Sequence, residues 1–177
     1  MILMPLGVVK ELIFKLSVLI SDDMPVAFFG FDDAGLSGAP PYSANAQHVS
    51  VDMIYRCLKS GLIAIFPEDW LERAGIHSVE AFAADLARVD QNKKTTPDTP
   101  ESRQHALDMA VWLDPLIYCT DAGAALVSRY FQNALDLEDE ARVLGFNEEA
   151  CKIFASHGVS WSEGDNGFFG PKGDGGN

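Results

Sequence analysis

Apolar positions recur along the chain at helical spacing in some stretches and as short continuous runs in others. Together they lay out most of the secondary structure. Val8, Leu12, Leu16 and Leu19 fall on one helical face with Val9, Ile13 and Ile20 beside them, which predicts a helix over Gly7 to Ser21. Ser21, Asp22 and Asp23 stop it, and Pro25, which has no amide N–H to donate, cannot continue it. The aromatic and β-branched run Val26 to Phe31 (VAFFGF) then reads as a strand. Asp32, Asp33, Gly35, Gly38, Pro40 and Pro41 mark a long polar loop.

Asn45 reads as the N-cap of a second helix, Ala46 to Ser60, whose apolar set is Val49, Met53, Tyr55, Cys57 and Leu58 and which Gly61 ends. Leu62 to Phe66 (LIAIF) is continuously apolar, and its length and β-branching favour a strand. Pro67 opens a short helix to Ala74 with Trp70 and Leu71 facing inward. Ser78 then caps a helix in which Val79, Phe82, Ala83, Leu86 and Val89 repeat at helical spacing. Asp90 to Arg103 (DQNKKTTPDTPESR) is polar and contains two prolines, so it reads as an exposed loop.

Gln104 to Leu113 reads as helix ended by Pro115, and Leu116 to Cys119 (LIYC) as strand. Asp121, Ala122 and Gly123 form a turn signal. Ala125 to Phe131 fits either a returning strand or a helix, with a hairpin favoured for its first half. Asn133 to Phe146 is acidic with helical propensity, and Asn147 reads as the cap of a last helix, Glu148 to Ser156, punctuated by Gly158. These elements predict an α+β fold, several helices packed on a small, mostly antiparallel sheet. Residues 1–161 are expected to form one domain and the glycine-rich stretch 162–177 a disordered tail.

Composition sharpens this. A chain of 177 residues that is 47% hydrophobic can bury a core without disulfides or metal. Its 26 acidic residues against 13 basic ones give a net charge of −13. Binding a phosphate backbone or an anionic bilayer needs a basic surface, so direct nucleic-acid and membrane partners are disfavoured. A basic protein partner is favoured electrostatically, although acidity by itself also keeps a chain soluble. Cys57, Cys119 and Cys151 form no CxxC pair and read as reduced thiols. Lys10, Glu11 and Lys15 interrupt the apolar start, which argues for an amphipathic helix over a secretory signal or membrane span. The cytoplasm is the expected location.

Candidate chemistry is sparse. His48, His77, His105 and His157 stand in separate elements without metal-ligand spacing, and no glycine-rich phosphate loop precedes a helix, so no cofactor or metal is expected. Asp32–Asp33 and Asp165–Asn166 do not follow the calcium-loop pattern. Cys119, Asp121 and His105 supply the residue types of a nucleophilic site, but Cys119 sits in an apolar run and reads as a structural thiol. What remains is the acidic run Asp136, Glu138, Asp139 and Glu140, followed by Glu148 and Glu149. On a helix, Asp136, Asp139 and Glu140 would share one face, where like charges repel by roughly 0.2–0.5 kcal/mol per pair and a basic partner would relieve them. Those three, with Asp32 and Asp33 in the long loop, are the candidate partner-binding residues.

The segments Val51 to Phe66 (VDMIYRCLKSGLIAIF) and Trp112 to Phe131 (WLDPLIYCTDAGAALVSRYF) resemble small bacterial immunity proteins, the cognate antitoxins of contact-dependent or secreted interbacterial toxins. The likeness is one of character, a helix feeding a G-L-I run and an aromatic segment with a D-x-G turn, and it spans about Val8 to Phe131. It implies a stoichiometric, non-catalytic inhibitor that binds a basic, nuclease-like protein toxin in the producing cell's cytoplasm. A small cytosolic enzyme using Cys119 or His105, or a regulatory adaptor, is the alternative reading of the same residues.

Overall fold

Helix α1 (Leu6–Leu19) forms where the apolar spacing places it, and Val8, Val9, Leu12, Ile13, Leu16 and Leu19 are all buried. The protein is described here from a computed structural model covering residues 2–30, 44–91, 93–132 and 136–161. The loop acids Asp32 and Asp33 and the glycine-rich stretch 162–177 lie outside the described residues. The fold is α+β. Among the described residues its sheet has three strands, β1 (Met24–Pro25), β2 (Ile63–Phe66) and β3 (Leu116–Cys119), in the order β1-β3-β2, all antiparallel. The register pairs Ile63 with Cys119, Ala64 with Tyr118, Ile65 with Ile117 and Phe66 with Leu116, while Met24 and Pro25 lie opposite Ile117 and Leu116.

The strand expected over Val26 to Phe31 is confined to the two residues before it. Val26–Phe29 winds into a 3-10 turn, closed by Gly30 N–H donating to the Ala27 carbonyl. Val26 and Phe29 are both buried, and burying residues three apart on one side suits a 3-10 turn. An extended strand would send them to opposite faces. Pro25 sits on an edge strand, where a missing donor is tolerated.

The remaining helices are α2 (Ala44–Lys59), α3 (Trp70–Arg73), α4 (Val79–Arg88), α5 (Pro100–Asp108), α6 (Ala110–Leu113), α7 (Asp121–Phe131) and α8 (Glu140–Ser156). Asn45 lies within α2 instead of capping it, and Pro67 stands before α3. Ser78 caps α4 as expected, its Oγ accepting from Ala81 N–H at 3.0 Å. Gln47 of α2 donates to the Leu86 and Val89 carbonyls at the end of α4, and the buried Trp112 Nε1–H donates to the same Leu86 oxygen. The carbonyls that α4 leaves open at its C-terminus are thus closed by side chains.

Four stretches differ from their sequence expectation. The polar loop Asp90 to Arg103 ends early, because Thr99 and Ser102 form a reciprocal capping box, each hydroxyl accepting from the other's N–H at 3.1 Å, with Pro100 at the first helical position. None of α5 is buried, so it has no apolar period to announce it. The expected Gln104–Leu113 helix breaks at Met109 into α5 and α6. The Asp121-Ala122-Gly123 turn and the hairpin after it are instead the opening of α7, capped by Thr120 Oγ1, which accepts from Gly123 N–H at 3.2 Å. Asn147 is no cap either. It is buried in the middle of α8, where its amide donates to the Met4 carbonyl at 2.9 Å and accepts from Met4 N–H at 3.1 Å, pinning the N-terminal segment.

Among the described residues no helix is long and apolar enough to cross a membrane.

Candidate protein-binding surface

Strand alternation sends Ile63, Ile65 and Ile117 into the core, where all three are buried. The opposite face carries Pro25, Leu116 and Phe66 in one cross-strand row and Ala64 and Tyr118 in the next. None of these five is buried, and Phe66 is 49% exposed. An antiparallel sheet with one solvated face ordinarily carries polar residues there. Here both faces are apolar, and among the described residues the outer one is the less buried.

At the end of α1 this outer face opens into a cleft of about 320 Å3. Leu19 and Ile20 from the helix, and Phe66, Tyr118 and Cys119 from the strands, supply its apolar lining. Ile20 is 43% exposed. Asp22 and Asp23 complete the rim, and both are exposed. Backbone bonds from Ser21 and Asp22 N–H to the Val18 carbonyl fix this end of the helix. Carboxylates beyond a helix C-terminus stand in the negative end of its dipole, a placement disfavoured by roughly 0.3–1 kcal/mol each. Among the described residues neither aspartate has an ion-pair partner. Cys119 is pushed up to about 11 by burial, so it stands in the cleft as a neutral thiol at physiological pH. That is the reverse of the lowered thiol an activated cysteine nucleophile needs.

The acids singled out from sequence are arranged differently. Asp136, Asp139 and Glu140 gather around the start of α8 but do not share a helical face, because the helix begins only at Glu140. Asp136 precedes it and accepts from Glu138 N–H at 3.1 Å. Asp139 is the N-cap, accepting from Arg142 N–H at 3.2 Å and pairing with the Arg142 guanidinium at 2.9 Å. Glu138 pairs with Lys10 at 2.8 Å. Acids at a helix N-terminus are favoured by the dipole, so the repulsion expected of a mid-helix run is replaced by capping. Asp32 and Asp33 fall outside the described residues.

Compared with known proteins, the chain matches no family model, no curated protein and no solved structure.

A second, open hollow lies between α7 and α8, lined by Tyr130, Glu148, Glu149 and Lys152 among others. Two of its polar groups, Tyr130 and Glu149, are already engaged with each other. Tyr130 donates to Glu149 at 2.7 Å, and Arg129 pairs with the same carboxylate. The Tyr130 hydrogen bond, followed by the arginine, holds Glu149 below the usual carboxylate range, and the same bond with burial raises Tyr130. A lowered carboxylate contributes stability above its unfolded pKa that is lost as pH falls through its folded one. Tyr130→Phe should therefore cost about 1 kcal/mol at neutral pH and progressively less as Glu149 protonates, measured by urea denaturation at pH 7 and in the acid range. An equal loss at both pH values would show that the contribution of the hydroxyl does not depend on the charge of Glu149. Among the described residues no group of three histidines, cysteines or carboxylates could hold a metal ion.

Asp22 and Asp23 read in sequence only as a helix stop, and Phe66 and Tyr118 only as strand residues. The usable signal was the continuity of LIAIF and LIYC. A strand apolar at both parities is one whose two faces are both meant to be covered.

Proposed function

We propose that this protein is a stoichiometric binding protein of the immunity type, which captures a basic protein toxin on the outer sheet face and neutralises it. The observation that carries the reading is the apolar outer face of β2 and β3 rimmed by Asp22 and Asp23, which have no ion-pair partner among the described residues, in a chain of net charge −13. A basic surface would gain long-range steering from the net charge and short-range burial from the exposed Phe66 and the half-buried Leu116 and Tyr118. Aromatic side chains at the centre of such a patch hold a complex together, while the rim charges set its on-rate and salt dependence. Cognate inhibition needs no reacting group on the inhibitor. The acids around α8, and Asp32 and Asp33, remain candidates for a wider electrostatic field around this face.

The test is affinity capture with the tagged chain from cells of the organism that makes it. The expected result is a basic protein retained at low salt and released at high salt, harmful when expressed alone and harmless when expressed with this chain. Retention of no basic protein at low salt, or retention of one whose toxicity the chain does not suppress, overturns the proposal. Exposed charges act over a Debye length of roughly 10 Å at 0.1 M salt, so the association rate should fall several-fold as salt is raised while the dissociation rate moves little.

A further inference from the structure

We infer that the cleft at the end of α1 is a receptor for a single arginine side chain projecting from the basic partner, an inference that rests on the binding reading above and names the group that would enter. At about 320 Å3 the cleft is at the small end of ligand sites, which suits one long side chain better than a helix or a strand. Its walls are apolar and partly aromatic, Ile20, Phe66 and Tyr118, and its rim is two carboxylates. A guanidinium is the cation that suits both. Its plane lies against aromatic faces, it is weakly hydrated, and its fork of N–H donors meets carboxylates in pairs. An ammonium is strongly hydrated and would have to shed that water against the apolar wall. The end of the α1 dipole adds partial negative charge at the same place. The cation therefore meets carboxylates that no group among the described residues already neutralises.

Charge decides between occupants. A second copy of this chain would bring another net charge of −13 to an acidic rim, which disfavours self-docking. A phosphorylated or acidic segment is repelled for the same reason. A basic side chain from a partner is the occupant that the surface rewards.

The test titrates the isotope-labelled full chain with N-acetyl-arginine methylamide and follows backbone amide shifts, with the lysine and citrulline analogues as parallel probes. Citrulline keeps the shape of arginine and removes its charge. The expected result is saturable shifts at Asp22, Asp23, Phe66 and Tyr118 with the arginine probe, and binding about tenfold weaker or worse with citrulline. The double variant Asp22→Asn/Asp23→Asn should weaken the arginine probe by a similar factor. Both positions are exposed, so shifts elsewhere should stay in place and report an intact fold. Equal binding of arginine and citrulline overturns the inference, as does a response confined to Asp136–Glu140 or no saturable response. Concentration-dependent changes at the same residues without probe would assign the cleft to a second copy. Opening of the cleft on removal of residues 162–177 would assign it to the chain's own tail. Either outcome also overturns the inference. Its failure separates from that of the binding reading. If a basic toxin is neutralised equally well by the Asp22→Asn/Asp23→Asn and Phe66→Ser variants, the binding reading stands and the arginine site falls. If the arginine probe binds as stated and no toxin is found, the reverse holds.

Discussion

Asp52→Ala is expected to destabilise the protein by about 3–5 kcal/mol, the range for stranding one member of a buried ion pair. Asp52 and Arg56 lie one turn apart on α2, and their side chains are 3% and 1% exposed. Arg56 Nε donates to Asp52 Oδ2 at 2.7 Å. On its other side the guanidinium donates to the Val159 and Ser160 carbonyls just beyond α8, and its Cζ stands 5.1 Å from the centre of the Trp161 ring. One cation thus joins the middle of α2 to the chain that leaves α8. With the carboxylate gone, the buried guanidinium keeps its carbonyl partners but loses the charge of Asp52. Arg56→Met should cost a comparable amount, because it leaves Asp52 buried and releases the Val159–Trp161 segment. Asp52→Ala/Arg56→Met should cost clearly less than the sum of the single changes, since neither position then keeps a charge. Urea denaturation of the four proteins at pH 7 supplies the cycle. Additivity within about 0.5 kcal/mol would show that the two side chains act independently and that the pair does not organise this part of the core.

The same pair shows how far the chain's architecture can be read before folding. The apolar periods of α1, α2 and α4 and the runs LIAIF and LIYC announce themselves, because burial alone decides them. Asp52 and Arg56 do not, since an acid and a base at i and i+4 look like an exposed pair until the Val159–Trp161 segment is seen to meet Arg56. Helix α5 is hidden for the opposite reason. It buries nothing, and what holds its start is the chemistry of Thr99, Pro100 and Ser102. The candidate surface is legible by halves. Net charge gives the sign of the partner, and the double-sided apolarity of β2 and β3 says that something must cover the sheet twice. Which face the chain leaves open is a tertiary fact, and so is the arrival of Asp22 and Asp23 beside it. The acidic run at Asp136–Glu140 was conspicuous in sequence because it is dense, yet density there serves the start of α8.

Gly123→Ala is expected to destabilise the fold by about 3 kcal/mol, the upper end of ordinary overpacking, although alanine is the better helix former. A β-carbon at this position would stand 2.6 Å from Cys119 Sγ and closer still to the Leu62 carbonyl oxygen. The sulfur can move; the carbonyl cannot move cheaply, because it accepts from Thr120 N–H at 3.1 Å. Thr120 also donates its hydroxyl to the neighbouring Gly61 carbonyl at 2.6 Å while capping α7 through Gly123 N–H. The first turn of α7 is therefore clamped against the entry to β2, and only a residue without a side chain fits between them. That is why a D-A-G sequence that looks like a turn opens a helix: the glycine is there for close approach, not for a reversal of the chain. Denaturation of Gly123→Ala with and without Cys119→Ala separates the two obstacles. Removing the sulfur should recover a minority of the loss, because the backbone oxygen remains. Full recovery would mean that the thiol alone sets the spacing. Because Cys119 also lines the cleft at the end of α1, Gly123→Ala should disturb amide shifts at Phe66 and Tyr118 even at temperatures where the protein stays folded. Unchanged shifts there would show that the α7 clamp and the candidate binding cleft are mechanically independent.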